Sequence, residues 1–289
     1  MIYDALIAPF VEFEFMRRAL AAAIALSLGG APIGVFLMLR RMSLVGDAMA
    51  HAILPGAAIG FLLSGLNLFA MTVGGLIAGF TVAILAGVVA RTTELKEDAS
   101  LATFYLASLA LGVTIVSIKG TNIDLLHVLF GNILAMDDPT LLVVAFNATI
   151  TLAALAVIYR PLVIESVDPV FLRTVSRASA PAHLAFLALV VVNLVNGFQA
   201  LGTLLAVGLM ILPAGIARFW SRDITGMICI AVVSAIVSGY AGLVLSFQTR
   251  VPSGPAIILV ATMLYVGSVL FGNVRGVIRQ LFPGHHLEA

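Results

Sequence analysis

The sequence contains few charged residues, and this shortage excludes a soluble fold. Only 10% of the 289 residues are charged and 62% are hydrophobic, whereas an ordinary soluble domain has about 25% charged and roughly 45–50% apolar residues. A membrane-spanning helix with its turn takes about 30 residues, so the length allows roughly nine spans. The composition therefore predicts an all-α, polytopic membrane protein whose residues 1–289 form a single transmembrane domain.

Cysteine and lysine are also rare, and each shortage excludes a class of site. The single cysteine, Cys229, excludes a disulfide framework and a cysteine-built zinc site. The two lysines, Lys96 and Lys119, belong to no GxxxxGK[ST] phosphate loop, so we do not expect the chain to hydrolyse ATP. The metalloprotease motif HExxH is missing, and no nucleophile and base pair is recognisable. The net charge of +1 indicates nothing about partners, and we expect no nucleic-acid partner.

Nine apolar runs, bounded by charged or Pro- and Gly-containing turns, are predicted to cross the membrane. They cover residues 19–39, 43–65, 68–90, 99–118, 139–159, 182–197, 200–219, 224–247 and 255–273. The boundary between the sixth and seventh runs is the least distinct, and merging them would give eight spans. Residues 1–16 carry acidic side chains where a cleavable signal would be positive, and they are predicted to form an interfacial helix.

The arginines and lysines are distributed unequally between the two sides that nine alternating spans define. One side has four, Arg17, Arg18, Lys119 and Arg250. The other side has eleven, Arg40, Arg41, Arg91, Lys96, Arg160, Arg173, Arg177, Arg218, Arg222, Arg275 and Arg279. The positive-inside rule places the larger group in the cytoplasm, so the N-terminus is predicted outside and the C-terminus inside a bacterial inner membrane.

Two polar stretches do not fit simple spans. Residues 121–138 are predicted to form a short outer-side or re-entrant helix, in which Asp124 and His127 are a candidate access site for a metal. The alternative is that this pair is merely solvated. Residues 161–181 are the longest polar segment, predicted to lie on the cytoplasmic side and to include a short amphipathic helix available to a partner.

Asp47 and His51 are the ionisable residues of the second predicted span, in the sequence GDAMAH. Residues four apart on a helix share one face, so both side chains can contact a single ion. Carboxylate and imidazole are good ligands for divalent transition metals and are costly when they face lipid. The alternative is that Asp47 pairs with Arg40 or Arg41 and that His51 bonds a backbone carbonyl.

One copy of this helix supplies two ligands, whereas zinc takes about four. A two-fold homodimer that brought two such helices together would supply two aspartates and two histidines. The transport pathway would then lie between the subunits. We expect Zn²⁺ to be favoured over Mn²⁺, because two imidazoles in a four-ligand site suit tetrahedral zinc better.

The segment RRMSLVGDAMAHA, residues 40–52, resembles the signature of the permease subunits of zinc/manganese ABC importers, which are served by cluster A-I metal-binding proteins. The likeness continues in order through HVLFGNILA at 127–135, LGTLLAVGLMILPAGIAR at 201–218 and VPSGPAIILV at 251–260. It implies a homodimeric permease with a type II importer fold, an external metal-loaded binding protein and two copies of a separate cytoplasmic ATPase. It also implies that Asp47 and His51 are the metal ligands, and that the chain has no permanently bound cofactor.

The same resemblance implies an ATPase-coupling helix in DPVFLRTVS, residues 168–176, with Asp168, Arg173 and Ser176 as coupling residues. Leu172 and Ser176 stand where alanine and glycine are commoner in that family. A secondary transporter or channel driven by an ion gradient is the alternative function. It would need charged relays over several spans, whereas the predicted spans other than the second are almost free of charge.

Overall fold

A computed structural model gives the fold of most of the chain. It describes residues 3, 6–65, 67–95, 97–118, 133–168, 171–172, 174, 176, 179–274 and 276–281. Within these ranges the secondary structure is entirely helical, which confirms the predicted fold class. Asp124, His127 and Arg173 lie outside the described residues.

The described residues form twelve α-helices and one short 3₁₀ helix, Ile133–Ala135. The α-helices are α1 Ala8–Glu12, α2 Glu14–Leu39, α3 Val45–Ala52, α4 Leu54–Ser64, α5 Leu68–Thr92, α6 Glu97–Ile118, α7 Asp138–Val167, α8 Ser179–Leu201, α9 Thr203–Ala217, α10 Ile224–Thr249, α11 Ser253–Phe271 and α12 Val277–Leu281.

Eight helical segments of the described chain are long and apolar enough to cross a membrane, with α3 and α4 counted as one. They correspond to eight of the nine predicted runs. The remaining run, 200–219, corresponds to α9, an apolar helix of 15 residues. At 1.5 Å per residue it is about 23 Å long, short of the roughly 30 Å hydrocarbon core.

The chain reverses direction between α8 and α9. Gly202 adopts φ 86°, a backbone conformation that glycine reaches without a steric penalty. The two helices then lie side by side, since a Cβ added at Gly197 would lie 2.8 Å from the Cβ of Ala206. Two separate helices are therefore present at this point, while the number of membrane crossings stays a prediction.

Ion pairs join the ends of α2 and α7 that the predicted alternation of spans places on the same side of the membrane. Arg18, near the start of α2, pairs with Asp138 at the start of α7 at 2.7 Å. At the opposite end of α2, Arg40 pairs with Glu165 of α7 at 2.9 Å. The direction of the bundle relative to the two sides of the membrane stays a prediction from the charge distribution.

Helix α2 is the central element of the bundle. Its side chains enter both clusters of buried apolar residues, one shared with α9, α10 and α11 and the other with α3, α5, α7 and α8. Small residues allow this close contact, as is common in membrane helices that cannot rely on the hydrophobic effect to associate. The described part of the predicted interfacial segment 1–16 includes α1 and the first residues of α2, and Tyr240 donates to the Leu6 carbonyl.

Gly34 lies where α2 crosses α9. An added Cβ would overlap the carbonyl oxygen of Met210, whereas a Cβ at Gly30, one turn earlier, would lie 3.8 Å from the Met210 Cβ. We expect Gly34→Ala to destabilise the bundle by about 1–3 kcal/mol, because backbone cannot move aside as a side chain can. Gly30→Ala is the matched control and should be tolerated. Thermal unfolding in detergent, followed by size-exclusion chromatography, measures the difference, and equal midpoints would contradict the prediction.

Backbone N–H groups at the starts of two helices donate to side chains that lie outside the predicted spans. Asp137 caps α7 by accepting from the Thr140 backbone N–H at 3.1 Å. Hydrogen bonds from the Thr140 side chain and backbone lower the pKa of Asp137. Asp223 caps α10 in the same way, and hydrogen bonds from the Gly226 backbone and the Ser221 hydroxyl lower its pKa. Both carboxylates stabilise the helices that they cap, because they accept hydrogen bonds from backbone N–H groups and carry negative charge at the positive end of the helix dipole.

Candidate metal-binding site

Asp47 and His51 lie on one face of α3, as their spacing predicts. The Asp47 Oδ1 and the His51 Nε2 are 3.9 Å apart. This separation is too long for a hydrogen bond. It is within the span of about 4.2 Å that one ion can bridge when each ligand atom is about 2.1 Å away. The arrangement can therefore hold a divalent metal between a carboxylate oxygen and an imidazole nitrogen.

Both side chains are open on this face. The exposed fraction is 67% for the Asp47 side chain and 34% for that of His51. The opposite face of α3 is buried, because Gly46 lets the helix approach α9, where an added Cβ would lie 2.8 Å from the Met210 Cε. The fold thus fixes α3 through its small residues and leaves the two candidate ligands facing outward from the chain.

The alternative explanation of Asp47, that it neutralises a nearby arginine, does not fit the contacts. The Arg40 guanidinium binds Glu165 and His183 instead. Within the described part of the chain, no arginine or lysine lies within ion-pair distance of Asp47. The carboxylate is therefore available to a cation.

The helix that carries the ligands is interrupted one turn further on. α3 ends at Ala52, and Pro55, near the start of α4, has no N–H to donate to the His51 carbonyl four residues earlier. Helix α6 supports this interruption. The Ser108 hydroxyl donates to the Ala52 carbonyl at 2.8 Å, and a Cβ at Gly112 would lie 3.0 Å from the Pro55 nitrogen.

α4, beyond the interruption, is held tightly against α5. A Cβ added at Gly56 would overlap the carbonyl of Gly74, and one added at Gly74 would overlap that of Gly56. Pro32 and Pro213, by contrast, lie inside continuous helices. Pro55, near Asp47 and His51, is the one of these three prolines that lies at a helix boundary.

The His51 ring is positioned by packing. It stacks on Tyr105 of α6, with ring centroids 6.3 Å apart. Its Nδ1 is buried and has no hydrogen-bond partner among the described residues. Metal-ligating histidines almost always donate this second ring N–H to an acceptor, which makes the imidazole a stronger ligand. The described residues offer no such acceptor, so the ring orientation rests on packing against Tyr105.

The described residues of one chain bring two candidate metal ligands together. Among the described residues no group of three or more His, Cys, Asp or Glu side chains can hold a metal. The candidate access site, Asp124 and His127, lies outside the described residues. Asp47 and His51 therefore account for the ligands that the described part of one chain brings together.

The predicted coupling residues lie at a different place, between α7 and α8. Asp168 ends α7, and its carboxylate accepts from the Phe171 N–H at 2.9 Å. The Ser176 N–H donates to the Leu172 carbonyl at 2.9 Å, and Leu172 is buried. A short helical turn is thus fixed between the two helices. The predicted polar segment 161–181 contributes its first seven residues to α7 and its last three to α8.

Sequence reasoning missed Tyr105 and Ser108, which hold the ligand helix from the side. Ser108 and Gly112 are small residues four apart in an apolar run, a spacing that indicates close helix packing. That spacing does not identify the helix they contact. His183, near the start of α8, is buried against Arg40.

Comparisons with known proteins cover nearly the whole chain. The model of the ABC 3 transport family matches residues 12–272. The manganese transport system membrane protein MntC of Halalkalibacterium halodurans is 31% identical over 275 residues, 95% of this chain and 93% of the relative. The manganese import system permease protein ScaB of Streptococcus parasanguinis is 30% identical over 255 residues, 88% of this chain and 90% of the relative.

A solved structure agrees with the fold over a similar extent. PsaBC from Streptococcus pneumoniae in complex with Fab matches with a TM-score of 0.81 at 28% identity, covering 97% of this chain and 100% of that chain. The family match includes the helix with Asp47 and His51 and the whole of segment 161–181.

Proposed function

Because this chain belongs to the ABC 3 transport family, we propose that it forms the translocation pathway of an ATP-driven importer for a divalent transition metal. The chain is a multi-pass membrane subunit for transport, and ATP hydrolysis is performed by a separate subunit. The bacterial inner membrane is the proposed location, since a cytoplasmic ATPase must reach it.

The observation that carries this proposal is the convergence of Asp47 and His51 at 3.9 Å on an open face of an interrupted membrane helix. An unpaired carboxylate at membrane depth is costly unless it faces a partner or an aqueous path. A transported cation and the water of a pathway satisfy that requirement. The interruption at Pro55 places the ligands beside a point where the backbone can bend.

A homodimer completes the site in this proposal. Leu44, directly before α3, is 68% exposed, and the Asp47 side chain one turn later is 67% exposed. A lone chain would leave this surface uncovered. Two copies related by a two-fold axis would cover the face and supply two Asp47 carboxylates and two His51 imidazoles. The pathway would then run between the two copies.

Two further partners are part of the proposal. An extracytoplasmic metal-binding protein would deliver the ion on the side where α2 begins, and two ATPase copies would dock on the side where α7 ends. Val167 and Phe171, 77% and 52% exposed, flank Asp168 on that surface. Exposed apolar side chains around a capped turn are suited to a protein partner rather than to water. Asp168, Arg173 and Ser176 would form this docking surface.

Two arguments about the metal point in different directions. The ligand count, two carboxylates and two imidazoles, favours Zn²⁺. The relatives described above are named for manganese, and water or carbonyl oxygens could raise the ligand number to the six that Mn²⁺ prefers. We propose Mn²⁺ as the principal cargo, and the preference for zinc from ligand arithmetic stays a prediction to be tested against it.

Uptake by proteoliposomes tests both parts of the proposal. The complex of permease, ATPase and binding protein is supplied with radiolabelled Mn²⁺ or Zn²⁺, each in competition with an excess of the other. We expect ATP-dependent Mn²⁺ uptake that unlabelled Mn²⁺ suppresses more strongly than Zn²⁺ does. The reverse order of suppression would support zinc. Metal uptake by the permease alone, driven by an imposed ion gradient without ATP, would contradict the importer and favour a secondary transporter.

A further inference from the structure

We refer to residues 168–178, which contain the predicted ATPase-coupling helix, as the coupling segment. A buried ionic group joins three helix ends next to it. The Arg40 guanidinium contacts Glu165 Oε2 at 2.9 Å, His183 Nδ1 at 2.9 Å and Ser166 Oγ at 3.4 Å. It also lies 4.8 Å from the centre of the Phe186 ring. The Arg40, Glu165 and His183 side chains are 8%, 6% and 7% exposed. We refer to Arg40, Glu165, Ser166 and His183 as the Arg40 cluster.

Arg40 is the hydrogen-bond donor of the cluster. An arginine can only donate hydrogen bonds, so the His183 Nδ1 at 2.9 Å accepts. Arg40 and Glu165 form an ion pair at 2.9 Å. Among the described residues, these contacts of the guanidinium join it to groups on α7 and α8.

Residues of the cluster flank the coupling segment at both of its ends along the chain. Glu165 lies three residues before Asp168, and Ser179 begins α8 directly after residue 178. The Ser179 hydroxyl also donates to Glu165 Oε1 at 3.4 Å. The two ends of segment 168–178 are thus held together, and both are held to Arg40. Displacement of this segment must either move Arg40 or break the cluster.

Arg40 connects in turn to the metal ligands through a short, fixed turn. Arg41 adopts φ 60°, a left-handed conformation that a non-glycine residue rarely takes. The Met42 N–H donates to the Leu37 carbonyl at 2.8 Å, and the Met42 side chain is buried. Asp47 follows five residues later in α3. The backbone from Arg40 to Asp47 therefore has little freedom to absorb a displacement.

A buried ion pair of this kind is not explained by stability alone. Desolvation offsets much of the attraction, and apolar side chains of similar volume are often as stable. The pair does impose one geometry, because moving a single partner leaves a buried charge unsatisfied. A group with these properties either stays intact or rearranges as a whole, which is what a transmitting element between two sites requires.

We infer that the Arg40 cluster transmits movement between the ATPase-coupling segment and the Asp47 and His51 metal site, with Arg40 as the positioning residue. This inference rests on the proposed function, because it assigns a role within that transport cycle. It adds residues that neither bind metal nor face the ATPase. Its consequence is that removal of the charges from the cluster uncouples ATP hydrolysis from metal import, while basal ATP hydrolysis and metal binding remain.

The test compares metal ions imported per ATP hydrolysed in the reconstituted complex. The double variant Arg40→Met/Glu165→Leu removes both charges and roughly keeps the volume, so that no unpaired ion is buried. We expect the ratio to fall about tenfold or more, within the range of typical coupling energies. Basal ATPase activity and Mn²⁺ binding to the detergent-solubilised complex, measured by equilibrium dialysis, should be unchanged.

A matched control changes another buried polar contact between the same two helices. Asn147 of α7 donates to Asn193 of α8 at 3.3 Å, far from the coupling segment. Asn147→Leu should leave the ratio at the wild-type value, and a tenfold fall in this control as well would overturn the specific role of the Arg40 cluster.

Two further outcomes keep the inference distinct from the proposed function. A folded double variant with the wild-type ratio overturns the inference alone. If the double variant does not assemble, Glu165→Gln keeps an oxygen acceptor for Arg40 and must lower the ratio, and a wild-type ratio in this variant also overturns it. A wild-type complex that hydrolyses ATP but imports no metal contradicts the proposed function instead.

Discussion

Replacement of His51 by alanine is expected to lower ATP-dependent metal uptake by more than about a hundredfold, since loss of an outer partner of a ligand already costs about 10–100-fold. The ring supplies the one nitrogen, Nε2, that faces Asp47 at 3.9 Å. In a two-fold dimer the substitution removes two ligands from a site of four. The measurement is uptake by proteoliposomes that contain the permease, the ATPase and the binding protein.

Asp47→Asn should have a comparable effect, because the amide keeps the size of the side chain but loses its charge. Asp98→Asn is the matched control, at an exposed position near the start of α6. Size-exclusion chromatography should show both site variants assembled as dimers. If both single variants, His51→Ala and Asp47→Asn, took up metal normally, the transport site would lie elsewhere.

Ser176→Pro is expected to uncouple ATP hydrolysis from transport and to reduce metal uptake to near the background level. Proline removes the N–H that donates to the Leu172 carbonyl at 2.9 Å. In a helical turn this change costs about 3 kcal/mol. ATPase activity should persist and metal binding at Asp47 and His51 should remain, because neither depends directly on this turn. Proline or a bulky residue at Arg173 should act in the same way.

Ser176→Ala keeps the backbone N–H and removes only the hydroxyl, so it should retain much more metal uptake than Ser176→Pro. The topology can be tested with the same position. In a chain whose exposed cysteine Cys229 has been replaced, Ser176→Cys should react with an impermeant thiol reagent only from the cytoplasmic side. Reaction from outside would contradict both the coupling role and the predicted orientation.

The helices and the proximity of Asp47 to His51 could be predicted because their signals are local. Each apolar run contains enough residues to show its hydropathy, and the i, i+4 spacing of Asp47 and His51 determines a shared face once α3 is helical. Gly202 marks the boundary between α8 and α9 by its positive φ, a requirement that the residue type itself suggests.

The Arg40 cluster could not be predicted from one sequence because its contacts are distant along the chain. Arg40 and Glu165 are 125 residues apart, and Arg40 and His183 are 143 apart. Arg40 fits the positive-inside rule as a membrane-boundary residue, and His183 fits a helix start, so neither residue alone indicates a buried partner. Only the packing of α2 between α7 and α8 brings them together.

The surroundings of the His51 Nδ1 bear on how long an ion would stay at the proposed site. For association at about 10⁸ M⁻¹s⁻¹, a site of nanomolar affinity releases its ion in roughly 10 s, whereas a micromolar site releases it in roughly 10 ms. The described residues offer no acceptor to this second nitrogen, an arrangement that favours the shorter residence. In the proposed importer, retention of scarce metal would then fall to the external binding protein, and the permease would set the rate at which ions pass.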